Sequence, residues 1–97
     1  MKKCSNMSEL RTEIDRVDQL IVPLLVERLG YIGQAGDIKQ CRDTVRDEWR
    51  IEDVVAKAKA AADSGTVDMI EDVYRFLINW SIEHEYVVFD ALKAPKD

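Results

Sequence analysis

Apolar side chains recur every three or four positions from Leu10 onward, and Leu10, Ile14, Val17, Ile21, Leu24 and Leu25 trace one face of a helix. Continued at the same spacing, that face takes Arg28, then Ile32 and Ala35, then Lys39. The pattern predicts a first helix from about Ser8 to Gln40, with Ser8 as N-cap and Glu9 in the first turn, where the helix dipole favours an acid. At about 1.5 Å per residue it would run roughly 50 Å, against ~26 Å across a compact domain of about 100 residues. A stripe of that length needs cover from elsewhere, and a second copy of the chain is the simplest supplier, so a homodimer is expected. Pro23 removes a helical hydrogen bond and predicts a kink near Leu20. Gly30, Gly33 and Gly36 form a smooth strip for a close-packed helix or ligand, or else mark a poorly ordered segment.

Cys41 to Arg46 reads as a loop, and Asp47 caps a second helix from Glu48 to about Asp63, whose buried face is Ile51, Val54, Val55, Ala58 and Ala62. Ser64-Gly65 ends it, with Gly65 suited to a left-handed C-terminal cap, and Thr66 starts a third helix. The third stripe is Ile70, Val73, Tyr74, Leu77, Ser81, Glu85, Val88 and Leu92. Ser81 and Glu85 sit one turn apart and face the same interior as Arg28 and Lys39. The expected fold class is therefore all-α: three helices, the first long and kinked, paired in a helical homodimer. One domain fills 1–97, with a core of about 8–92 and disordered termini, including Ala94–Asp97.

Composition then restricts the chemistry. With 46% apolar and 34% charged residues in 97, the chain is one globular domain. A formal charge of −5, without a basic run, argues against nucleic acid. Met1–Asn6 carries lysines but no following apolar run, and no segment reaches membrane-spanning length, so neither export nor a membrane partner is expected. Two cysteines, Cys4 and Cys41, fit a reducing cytoplasm, and one histidine, His84, leaves no usual metal-ligand set; no metal or cofactor is expected.

A cation on an apolar face needs an anionic partner, because an isolated buried charge costs several kcal/mol. Arg28 and Lys39 are eleven residues apart, close to three turns, with Cα atoms about 16 Å apart on one face. Arg11 lies about 25 Å from Arg28 along the helix and can reach that pocket only from a partner whose first helix runs antiparallel. Arg50, near the start of the second helix, adds a fourth cation. Such a cluster suits a small dicarboxylate, since guanidinium groups grip carboxylates in a two-pronged fork. No Ser-His-Asp set, metal cluster or phosphate loop accompanies it, so an enzyme built this way would work by positioning and charge stabilisation.

Structural roles compete with each of these. Arg28 and Lys39 can lay apolar stems over the surface with their tips in water. Arg11 is by default a solvated residue, while Arg46 and Arg50 can pair with Glu48, Asp47 or Asp53 on a helix surface. Asp47 is a cap whatever the function, Ser81 can permit close packing, and Glu85 can pair with Lys39 without chemical consequence. Trp49, Trp80, Tyr74 and Phe76 read as core or interface.

The run Leu10-Arg11-Thr12-Glu13-Ile14-Asp15-Arg16-Val17-Asp18, with Leu25, Arg28 and Lys39 after it, resembles the first helix of the all-helical chorismate mutases. The resemblance continues through Val45-Arg46-Asp47-Glu48-Trp49-Arg50 to Ser81 and Glu85. It implies an intertwined dimer that rearranges chorismate to prephenate. Arg28 and the partner's Arg11 would hold the substrate carboxylates, Lys39 the ether oxygen, Arg50 and Asp47 the ring end, and Ser81 would lie beside a carboxylate. Two positions depart from the family pattern. Ile51 stands where members commonly carry a glutamate that holds the ring hydroxyl, and Glu85 where many carry a glutamine that donates to the ether oxygen. A carboxyl group donates only when protonated, so turnover is expected to rise toward acidic pH. Ile14-Asp15-Arg16-Val17-Asp18, Ile21-Val22, Tyr31, Asn79-Trp80 and the apolar Ile51 also resemble the related isochorismate pyruvate lyases, which split isochorismate into salicylate and pyruvate. A catalytically silent helical dimerisation module is the remaining alternative.

Overall fold

The computed structural model describes residues 1–39 and 41–93. Helix α1 spans Met7–Ile38, α2 Glu48–Ala60 and α3 Val67–Lys93, with a 3-10 turn at Arg42–Thr44, and no strand occurs among the described residues. The three predicted helices are all present. The expectations for Gln40 and for Ala94–Asp97 lie outside the described residues. No helix among the described residues is long and apolar enough to cross a membrane.

The chain divides into two compact units, Met1–Tyr31 and Ile32–Asp97. The first is helical from Met7 onward, and the helix runs through Pro23 without interruption. Its N-cap is Asn6 rather than Ser8: Asn6 Oδ1 accepts from Glu9 N–H at 2.9 Å, while Glu9 Oε2 accepts from Ser5 N–H at 3.0 Å. This reciprocal arrangement resembles a capping box and satisfies two otherwise orphaned donors. The predicted stripe lies open in the single chain, with Ile14 49%, Val17 41%, Leu24 63% and Leu25 41% exposed.

The second unit holds the core: Val45, Ile51, Val55, Ile78, Ile82 and Phe89, with Val54 and Tyr86 packed against it. On α3 the buried face is Ile78, Ser81, Ile82, Glu85 and Phe89. It is rotated from the predicted stripe, for Val73 and Leu92 are 51% and 53% exposed. Trp49, Phe76 and Trp80 are likewise exposed in the single chain, at 90%, 74% and 52%. α2 ends three residues before the predicted Asp63, and no glycine has positive φ, so Gly65 is not a left-handed cap. The turn is closed instead by Thr66, whose N–H and hydroxyl both donate to Asp63 O at 2.9 Å. Gly36 is buried where the end of α1 crosses α3, and a Cβ there would meet Val88 Cγ1 at 3.2 Å and the Glu85 carbonyl at 3.4 Å. A side chain at this position would push apart the two helices that carry Lys39 and Glu85.

Candidate functional site

Lys39 extends the hydrogen bonding of α1 by one residue, its N–H donating to Ala35 O at 3.0 Å. Its ammonium donates to Glu85 Oε2 at 3.0 Å and to Val45 O at 3.2 Å. The Glu85 side chain is 6% exposed and that of Lys39 29%. A carboxylate so deeply placed on α3 needs a charged partner to offset its loss of water, and Lys39 supplies one. An ammonium has three N–H donors; two are engaged among the described residues, leaving one for a bound molecule.

The second acceptor depends on the connection between α1 and α2. Residues 41–46 contain the 3-10 turn, after which Val45, 4% exposed, drops into the core and turns its carbonyl to Lys39. The expected loop thus has a structured centre. Arg42 anchors it: Nε lies 2.9 Å from Asp90 Oδ1, Nη2 3.4 Å from Oδ2, and the guanidinium carbon 4.4 Å from the centre of the Tyr86 ring. Asp90 holds Arg42 further above its already high ordinary range. Sequence reasoning missed Arg42, because only the fold shows which of the acids its guanidinium meets.

Asp47 is the N-cap of α2, accepting from Arg50 N–H at 3.2 Å. The Arg50 guanidinium lies on the exposed helix surface, 2.8 Å from Asp53, which also takes Lys57 at 3.0 Å. Lys57 first, and Arg50 after it, hold the Asp53 carboxyl below its ordinary range. Arg46 pairs with Glu48. Ile51, 8% exposed, belongs to the apolar cluster and presents no polar atom. Ser81 is buried one turn before Glu85, and its hydroxyl donates back to Leu77 O at 2.7 Å. Lys39, Glu85, Ser81 and the cap of α2 therefore belong to one unit. Arg11, exposed, and Arg28, half-buried, belong to the α1 segment of the other. Among the described residues no group of three or more His, Cys, Asp or Glu is placed to hold a metal ion.

This arrangement can present a partly buried ammonium donor to an oxygen that gains negative charge, where such a donor is more effective than in open water. The family model described as chorismate mutase type II matches residues 10–86, a span that contains Arg11, Arg28, Lys39, Asp47, Arg50, Ile51, Ser81 and Glu85. No curated protein matches the chain.

Proposed function

The chain belongs to the type II chorismate mutase family, and from that premise we propose that it is a homodimeric enzyme converting chorismate to prephenate. The reaction is a cyclic movement of electrons in which the ether C–O bond breaks as a new C–C bond forms. No atom leaves and no proton need be transferred. Negative charge grows on the ether oxygen, and a fixed donor there lowers the barrier. The observation that carries this reading is the Lys39 ammonium, held on buried Glu85 and Val45 O with one donor to spare.

Arg28 and Arg11 of the partner subunit are the carboxylate-binding pair in this proposal, with Ser81 beside a carboxylate. The open apolar stripe of α1 supports the dimer, since exposed Ile14, Leu24 and their neighbours need cover. Arg50 can join the ring end of the substrate by leaving Asp53, an exposed pair worth about 1 kcal/mol or less. Asp47 fixes the start of the helix that presents it.

One observation favours a second reading. Ile51 lies within an apolar cluster, so its position offers nothing to a ring hydroxyl; this suits an isochorismate pyruvate lyase on the same scaffold. The deciding experiment offers the purified protein chorismate and isochorismate separately and measures prephenate, salicylate and pyruvate. Prephenate from chorismate supports the mutase, salicylate with pyruvate from isochorismate the lyase, and consumption of neither leaves a dimerisation module. The shared pocket has its own test. Arg11→Ala and Arg28→Ala are each expected to be inactive, yet unfolding and refolding them together should restore about a quarter of wild-type activity. Half of the random dimers are then mixed, and each mixed dimer keeps one intact pocket.

A further inference from the structure

Lys39 stands on the α1 side of the connection and the α2 cap Asp47 on the other, with α3 beneath. Lysine is a flexible four-carbon stem ending in a point charge, so its ion pair with Glu85 does little to fix the chain around it. Its other acceptor, Val45 O, is available only while the 3-10 turn rests on α3. Arg42 sits midway, three residues from Lys39 and three from Val45. Its fork on Asp90 and its stacking over Tyr86 use two residues of the helix that carries Glu85, five positions and one position beyond it. Lys93 adds a weaker tie at 3.3 Å to Asp37 O, on the α1 side.

We infer that Arg42, with Asp90 and Tyr86, is a positioning unit for the reaction: it clamps residues 41–46 to α3, so that Val45 O and Glu85 together aim the Lys39 ammonium. Arg42 acts through Lys39 and touches no substrate. The inference rests on the proposed function for its effect on turnover, but not for its effect on the connection itself. The Arg42–Asp90 pair is half in solvent, with side chains 58% and 52% exposed. The ion pair alone is therefore weak; with the cation–π contact its loss should loosen the docked segment by about three- to tenfold. The donation of Lys39 to the ether oxygen matters most in the transition state, so the loss appears mainly in kcat.

The experiment uses the full chain with Arg42→Ala, Asp90→Asn, their combination, and Arg42→Lys. For each, kcat, KM, thermal midpoint and amide hydrogen exchange over 41–47 are measured. Arg42→Ala, which loses both Asp90 and Tyr86, is expected to lower kcat about three- to tenfold with KM and thermal midpoint little changed, and to reduce exchange protection over 41–47 by a similar factor; Asp90→Asn, which keeps the Tyr86 contact, should do the same by a smaller factor. The double variant should add nothing beyond Arg42→Ala, because that change already breaks the contact with Asp90, and Arg42→Lys should recover part of both effects. Unchanged exchange protection in both single variants overturns the clamp, as does unchanged kcat in an active enzyme. Should either variant fail to fold, the other carries the comparison. If the wild type converts neither chorismate nor isochorismate, the proposed function fails, and the exchange measurement still decides whether the clamp exists.

Discussion

Replacing Lys39 by Met and Glu85 by Gln should separate the two partners of the buried ion pair. Lys39→Met leaves a carboxylate whose side chain is 6% exposed without its counter-charge and removes the donor to Val45 O. Stranding one member of a fully buried pair costs about 3–5 kcal/mol. Here the lysine end is 29% exposed, so water can replace part of it, and about 2 kcal/mol is the better figure. In a domain near 100 residues that is a fall of roughly 10 °C in thermal midpoint. Glu85→Gln keeps an acceptor oxygen for Lys39 and should cost about 1 kcal/mol or less. Turnover should split more widely. Loss of a single transition-state donor typically costs about 10²- to 10³-fold, and Lys39→Met should fall at least that far. Glu85→Gln should lose less than about tenfold, because its amide oxygen can still accept from Lys39 and hold the ammonium in place. Stability is read from urea and thermal midpoints at one fixed protein concentration, since the stability of the proposed dimer would depend on it. Turnover is read from chorismate consumption at one fixed pH. The reasoning fails if Lys39→Met turns over like wild type or if Glu85→Gln is as damaged as Lys39→Met.

Glu52 and Glu71 are both held below the ordinary carboxylate range, Glu52 by Arg75 and Glu71 by Lys59 and then Arg75. Depressed carboxyl values stabilise the fold above the unfolded value of about 4.3. That contribution disappears as pH falls through the lower folded values, so Glu52→Gln should show a shallower loss of urea midpoint between pH 6 and 3 than wild type. Gly36→Leu should lower the thermal midpoint and turnover together, given Val88 and the Glu85 carbonyl in its path. Gly33→Ala meets nothing within 4 Å in the single chain and should gain up to about 1 kcal/mol in urea denaturation. Ile51→Ala, in the apolar cluster, should cost about 2–4 kcal/mol by the same measurement; a near-neutral result would place this side chain outside the core.

What was legible in the sequence follows from how local each signal is. The helices were readable from period, and the cap Asp47 from residue type, because both act within a turn. Glu85 and Lys39 were readable as polar interruptions of apolar stripes. The buried face of α3 was not, since Ile78, Ile82 and Phe89 form a second stripe beside Tyr74, Leu77 and Val88. Both obey the three-and-four spacing, and only packing against α2 and the 3-10 turn selects one. The caps show a similar competition: Ser8 and Asn6 are both capable, and the bond from Ser5 to Glu9 settles on Asn6. Arg42 and Asp90 are 48 residues apart and look like surface charges in isolation. Only the docking of residues 41–46 on α3 brings them together.

Lys39 and Arg50 differ in how they stand before any substrate arrives, and under the proposed function that difference gives them different parts of the work. Lys39 is already oriented by two protein acceptors, both on buried residues. Its ordering is complete on folding, and it can act on developing charge without rearrangement, as transition-state stabilisation requires. Arg50 is occupied on an exposed surface by Asp53, which shares its charge with Lys57. Asp53→Asn would release Arg50 and remove a competing negative charge, so its effect should fall on KM, as a decrease, with kcat nearly unchanged. A change confined to kcat would instead place Arg50 among the groups whose contact strengthens only at the transition state.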